Sequence, residues 1–252
     1  KNMMIKTGII GGSGLEDPDI IDSPEVINVE TPYGGTSSPL LCGRVNGGEV
    51  VILSRHGKDH TIPPTAVNNR ANIYALKDAG CTRIVATTAC GSLKEEIGRG
   101  DIVIPDQLID FTRHRIVTFH DRFESGELKH QQMADPFDGK VRNLIISTAR
   151  RMGIKMHDRG TLITIEGPRF STRAESRMFR MWGADIINMS VAPEAILANE
   201  LGIPYAVIAM STDYDCWKED EDPVSWEEVL AVFHENADRV LKLLTAIISE
   251  ES

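Results

Sequence analysis

The sequence predicts an α/β fold on three observations. Short β-branched runs recur along the chain, amphipathic stretches separate them, and helix-capping and helix-stopping residues mark the boundaries. The strands read Ile5 to Ile10, Glu49 to Ser54, Arg83 to Thr88, Asp101 to Pro105, Thr161 to Ile165, Ile186 to Met189 and Tyr205 to Met210. A first helix is expected from about Thr65 to Ala79; it stops at Gly80, whose freedom to turn left-handed carries the chain toward the next strand. A second begins near Thr172, where Thr172 and Glu175 have capping-box spacing. Pro193 opens a third, closed by Gly202, and Ser225 with Glu228 caps a long final helix through about Ile248. Arg113 to Asp138 interrupts the alternation with no periodicity. It reads as a long loop, either plain surface or a functional or subunit-contact segment.

Neither a repeat nor a Ser/Gly linker divides the 252 residues, so one domain spanning 1–252 is expected. A hydrophobic share of 41% with 25% charged residues excludes disorder as the main state. Lys and Arg number 27 against 37 Asp and Glu, a net charge of −10, which repels nucleic acid and free phosphate alike. Any anion site must therefore be built locally. Apolar runs such as Val50 to Leu53 fall far short of the roughly 20 residues a spanning helix needs. Lys1 to Lys6 has no apolar leader core, so a cytoplasmic protein with no membrane partner is expected. Cys42, Cys81, Cys90 and Cys216 are widely spaced, with no Cys-x-x-Cys pair for zinc or redox chemistry.

Four motifs carry chemistry. Gly11-Gly12-Ser13-Gly14 follows the opening strand, where small residues let backbone amides approach an anion and Ser13 adds a hydroxyl. The dinucleotide fingerprint fails because Asp17 stands where its third Gly belongs, and a plain tight turn fits the same residues. Arg55-His56-Gly57 ends another strand and sets a guanidinium and an imidazole where a phosphate can sit in a crevice at strand ends. His56 and His60 share the i,i+4 spacing of a zinc pair, but Gly57 and Pro63-Pro64 argue for a loop, and no metal is expected. Thr87-Thr88-Ala89-Cys90-Gly91-Ser92 supplies hydroxyls and a glycine at a strand exit; Cys90 has no adjacent base and reads as structural.

The fourth motif is Ser211-Thr212-Asp213-Tyr214-Asp215-Cys216-Trp217. In an extended segment two carboxylates two residues apart point the same way. If that way is inward, repulsion and desolvation raise one pKa and leave a neutral acid able to donate a proton; a polar turn is the bland alternative. The acidic run Lys218 to Asp222 behind it is either a solvated turn or a lid.

Taken with Glu166-Gly167-Pro168-Arg169-Phe170 and Asn188-Met189-Ser190, these motifs resemble the S-methyl-5′-thioadenosine phosphorylases, in the trimeric branch of the purine nucleoside phosphorylase superfamily. The resemblance runs from about Ile9 to the final helix and is most specific over Thr87 to Glu95, Thr164 to Phe179 and Thr212 to Lys218. It implies a twisted mixed sheet, partly closed into a barrel and flanked by helices. It also implies phosphate-dependent cleavage of a nucleoside's glycosidic bond, with inorganic phosphate as co-substrate and no metal or organic cofactor, in a trimer or dimer of trimers.

Carried over by the resemblance, the phosphate positions are Ser13, Arg55, His56, Thr88 with the amide of Ala89, and Ser190. Relatives often have Thr at the first and last of these. Met189 falls against the ribose and Phe170 with Ser171 in the purine wall. Trp226, Val229 and Leu230, with His130 from a neighbouring subunit, fall in the methylthio pocket, although helical spacing alone makes the first three core residues. Trp226 stands where relatives can carry a smaller aliphatic residue, and so narrows that pocket or makes a sulfur–aromatic contact. Asp213 is assigned as the acid that protonates the departing purine. Asp215 recognises the exocyclic amino group and holds the Asp213 carboxyl, the two acting as a pair.

An acid and a carboxylate together fit a 6-aminopurine, whereas a 6-oxopurine presents an acceptor that an Asn amide would suit better. The rival readings are a phosphorylase of broader or 6-oxopurine specificity (inosine, guanosine, methylthioinosine), a hydrolytic nucleosidase, and a non-enzymatic nucleoside-binding protein.

Overall fold

A computed structural model of the chain describes residues 5–11, 20–221 and 224–250. The opening strand β1 (Lys6–Gly11) pairs in parallel with β6 (Gly48–Ser54) on one side and with β7 (Arg83–Ser92) on the other. Beyond β6 lie the antiparallel β5 (Leu40–Val45) and the edge strand β2 (Asp22–Ile27); β3 (Glu30–Thr31) and β4 (Gly34–Gly35) form a separate two-stranded ribbon. On the far side of β7 come β13 (Tyr205–Asp213), β8 (Ile102–Val103) and β10 (Met156–His157).

β7 is long enough to serve two layers. Its first half pairs with β1 and β13, and at Gly91 and Ser92 it turns into antiparallel pairing with β12 (Ile186–Asn188), which leads to β11 (Thr161–Ile165) and β9 (Gln107–Phe111). Among the described residues the result is a mixed sheet of 11 strands that branches at β7. Its pairings among the described residues form no closed ring, so the barrel expected from the resemblance is an incomplete one.

Helices cover both faces. α1 (Asn69–Asp78) and α4 (Val191–Glu200) pack on one side through Ile73, Leu76 and Ala195; α2 (Gly139–Arg151) and α5 (Trp226–Ser249) pack on the other through Ile145, Leu243 and Ile247. α3 (Arg173–Met181) closes the β9–β11–β12 layer with Phe179. Because both faces are covered, the central strands are apolar on both sides, and every residue of β13 is buried.

All the predicted strands are present. The first helix departs from expectation: Pro64–Ala66 makes a short 3₁₀ turn, and α1 starts afresh at Asn69 behind Asn68, whose side chain accepts from the Ala71 amide. Thr172 and Glu175 make the expected capping box. α4 begins at Val191, two residues before the Pro193 expected to open it. Residues 112–138 hold no regular element, as read from their lack of periodicity. The stretch 218–221 is a turn tied down by Lys218 to Glu95 and by Arg99 to Glu221. No helix among the described residues is long and apolar enough to cross a membrane.

Candidate active site

One pocket of about 430 Å³ gathers the strand exits. Of the residues assigned from the sequence, it is lined by Arg55, His56, Thr88, Ala89, Ser190, Met189, Phe170, Ser171, Asp213, Asp215, Trp226, Val229 and Leu230. Ser13 lies outside the described residues. His130 sits on the exposed loop against Phe123, with ring centroids 5.7 Å apart, away from this pocket of its own chain.

At one end are hydroxyls and an arginine. The Asn188 side chain joins the hydroxyls: its amide nitrogen donates to Thr88 Oγ1 at 3.2 Å and to Ser190 Oγ at 3.3 Å, while its carbonyl accepts from Thr164 Oγ1 at 2.8 Å. Thr164 Oγ1 in turn accepts the Ala192 amide at 3.0 Å, anchoring the start of α4. Ser190 is the residue before α4 yet makes no capping bond, so its hydroxyl belongs to the pocket rather than to the helix.

Arg55 is 2% exposed. Its Nε and Nη2 donate to the two oxygens of Glu194, and its Nη1 donates to the Thr87 carbonyl at 2.9 Å. Tyr205 supplies Glu194 with a further donor at 2.7 Å. Three of five guanidinium hydrogens are thus used, leaving two for the pocket. Burial works against the guanidinium charge, but Glu194 more than restores it, and the Arg55 pKa rises. The positive charge at this end is therefore matched by a buried carboxylate.

His56 follows in a turn rather than a helix. Its Nδ1 is 2.8 Å from the Ile62 carbonyl oxygen, and its ring lies 4.5 Å from that of His60. Burial first, then the Arg55 charge, push its pKa down to about 4, so the imidazole is neutral at pH 7. Among the described residues no group of three or more His, Cys, Asp or Glu could hold a metal ion.

At the other end are the carboxyls. β13 slips register against β7 between Ser211 and Asp213, so that Asp213 comes opposite Gly91, and such a bulge re-aims the side chains that follow it. Asp213 Oδ1 accepts from Thr212 Oγ1 at 2.8 Å, and Oδ2 accepts from the Asp215 amide at 3.1 Å. Burial raises the Asp213 pKa to about 7, with the Asp215 charge adding to it. Burial raises Asp215 too, opposed by the Ser171 hydroxyl, which lies 2.9 and 2.7 Å from its two oxygens. Asp215 thus reaches the Asp213 carboxyl through its backbone amide, while its own carboxyl accepts from the Ser171 hydroxyl. Gly91 leaves the carboxyl its room, since a Cβ there would stand 3.0 Å from Asp213 Oδ2, tight enough that the carboxyl or its neighbour would have to shift.

Cys90 is buried and its thiol is pushed well up by burial, consistent with a structural role. The rim is apolar and aromatic. Trp226 is 44% exposed and faces the His60 ring at 5.5 Å; Val229 and Phe233 continue the wall from α5. Met189 is fixed from behind by Arg115, which donates to the Met189 and Glu166 carbonyls at 2.9 and 2.6 Å. Sequence reasoning missed Asn188, Glu194 and Arg115 as supports. Glu194 alone left a signal: a carboxylate inside an otherwise apolar helix segment requires a buried partner.

Comparison with known proteins follows the same lines. The model of the phosphorylase superfamily matches residues 6–249. The S-methyl-5′-thioadenosine phosphorylase of Xenopus tropicalis is 57% identical over 247 residues, covering 96% of this chain and 88% of its own, and that of Danio rerio is 53% identical over 249 residues, covering 98% and 89%. Among solved structures, methylthioadenosine phosphorylase from Schistosoma mansoni in complex with adenine superposes with a TM-score of 0.92 at 41% identity, covering 97% of this chain and 91% of that one. A mutant of the Schistosoma enzyme in complex with methylthioadenosine gives the same TM-score and coverage. With a family match along nearly its whole length and relatives above half identity, this chain belongs to the S-methyl-5′-thioadenosine phosphorylases of the phosphorylase superfamily.

Proposed function

We propose that the protein cleaves the glycosidic bond of 5′-methylthioadenosine with inorganic phosphate, giving adenine and 5-methylthioribose 1-phosphate. The observation that carries this is the division of one pocket into two poles, hydroxyl and guanidinium donors at one end and a carboxyl with a pKa of about 7 at the other. As the bond to the base breaks, the sugar becomes cation-like and the purine gathers negative charge. A phosphate beneath the sugar stabilises the first, and a proton from Asp213 stabilises the second. Asp215, oriented by Ser171, accepts from the 6-amino group. Thr88, Ser190, the Ala89 amide, Arg55, His56 and Ser13 form the phosphate site; Met189 backs the ribose and Phe170 the purine.

Trp226, Val229 and Leu230 receive the 5′-methylthio group, completed by His130 from a neighbouring copy in a trimer or larger oligomer. The enzyme works in the cytoplasm with no metal or organic cofactor, and salvages purine and methionine carbon from methylthioadenosine. The deciding assay follows base release from methylthioadenosine, adenosine, methylthioinosine and inosine, with and without phosphate. Phosphate-dependent release that is fastest with methylthioadenosine is expected; equal release without phosphate would replace phosphorolysis by hydrolysis, and a preference for inosine would replace the 6-amino reading.

A further inference from the structure

The two nitrogens of the His56 imidazole are not equivalent. The Ile62 carbonyl oxygen can only accept, so at 2.8 Å Nδ1 must carry the hydrogen. In the neutral ring Nε2 is then a bare lone pair, and it has no hydrogen-bond partner among the described residues. Burial and then the Arg55 charge keep the ring neutral; the His60 imidazole and the Arg115 guanidinium act the same way, and together they outweigh the Ile62 hydrogen bond, which favours the charged form. The carboxylates of the site are engaged elsewhere, Glu194 with Arg55 and Tyr205, Asp213 with Thr212 and the Asp215 amide, and Asp215 with Ser171.

We propose that His56 accepts, at Nε2, a hydrogen bond from the P–OH group of the bound phosphate, and so selects oxyanions that still carry a proton. This rests on the phosphate site proposed above. An imidazolium there would attract any oxyanion, whereas a lone pair repels a bare oxygen and rewards a hydroxyl. At neutral pH both ionic forms of phosphate keep a P–OH, and sulfate keeps none. The unprotonated oxygens are left for Thr88, Ser190, the Ala89 amide and the two remaining Arg55 hydrogens.

The reaction balances on these terms. An unprotonated phosphate oxygen bonds to the anomeric carbon as the carbon–nitrogen bond breaks, and that bond's electron pair goes to the purine, which takes the Asp213 proton. The P–OH proton stays against His56 until the sugar phosphate releases it to solvent, and Asp213 regains a proton from solvent.

The test measures, in wild-type enzyme with saturating methylthioadenosine at pH 7.5, the KM for phosphate, turnover with arsenate, and the inhibition constant of sulfate. A sulfate constant at least about fivefold above the phosphate KM, the cost of facing one buried acceptor with another, is expected, with arsenate replacing phosphate in base release. A smaller ratio, or no turnover with arsenate, overturns the proposal. His56→Arg, which supplies donors and charge, should bring the ratio close to one; a folded variant that keeps the wild-type ratio also overturns it.

Should that variant not fold, the pH arm decides. The phosphate KM should stay within about threefold from pH 6 to pH 8, while a rise of about tenfold per unit above the ordinary histidine pKa marks a cationic donor instead. Base release that needs no phosphate at all would defeat the phosphorolysis reading. Phosphate dependence with sulfate bound as tightly would defeat only this one.

Discussion

The guanidinium of Arg55 donates to both carboxylate oxygens of Glu194, at 2.5 and 3.2 Å, and neither side chain is more than 2% exposed. A cation held this way is rigid and oriented, but it brings no net charge to the pocket. Buried pairs of this kind add little stability over an apolar pair, and losing one partner strands the other.

Glu194→Ala is therefore expected to destabilise the protein by about 3–5 kcal/mol in denaturant unfolding, the typical cost of an unpaired buried charge. In the folded fraction the KM for phosphate should rise more than the KM for the nucleoside. A stability within about 1 kcal/mol of wild type would show that Arg55 finds another partner.

Asp213→Asn removes the proton donor and should lower kcat on methylthioadenosine by roughly 10²–10⁴. In the wild type, kcat should fall as pH rises through about 7, where Asp213 loses its proton. The stability follows the same sign. A carboxyl raised from 3.8 to about 7 favours the fold below its unfolded value and loses that contribution as pH rises toward 7. Asn does not titrate, so the melting temperature of the variant should gain on wild type between pH 4 and pH 7; a constant gap would mean that Asp213 is ionised throughout.

Gly91→Ala sets a methyl group 3.0 Å from both Asp213 Oδ2 and Ile187 Cγ2. The expected outcome is a kcat roughly tenfold or more below wild type in a protein that still melts cooperatively. Circular dichroism melts alongside steady-state kinetics would check it, and undiminished kcat would show that the carboxyl can shift without loss.

Trp226→Ala opens the side of the pocket that faces His60. Discrimination between methylthioadenosine and adenosine, measured as the ratio of kcat/KM, should shrink by about five- to tenfold as the dry surface is lost. Since Trp226 is 44% exposed, thermal stability should change little. An unaltered ratio would place the methylthio group elsewhere.

The strands were legible because covered sheets demand unbroken apolar runs, as in Tyr205 to Met210. β2 was not, since all six of its side chains are exposed and nothing in Asp22 to Ile27 alternates. α2 begins immediately after the aperiodic loop, with Asp138 as its cap, and is not among the expected helices. The strand ends were read short because Ala89 to Ser92 and Ser211 to Asp213 are small or polar, a composition dictated by the pocket they line.

In the site, hydroxyls, arginine and paired carboxylates announce themselves by type and position. Their supports do not. Glu194 reaches Arg55 across 139 residues, and Asn188 reaches Thr88 across 100, separations that no local pattern encodes.

The register of β7 against β13 has a mechanical outcome. Thr88 lies beside Ala209 and Gly91 beside Asp213, so the two poles are set three residues apart on one ladder, buried except for the half-buried Ala89, roughly 10 Å by strand rise. Sliding them would tear backbone bonds at the centre of the molecule. The opposite wall is formed by the turn at His56 to Pro64 and the first turns of α5. The spacing between the two poles is thus a property of strand register rather than of loops.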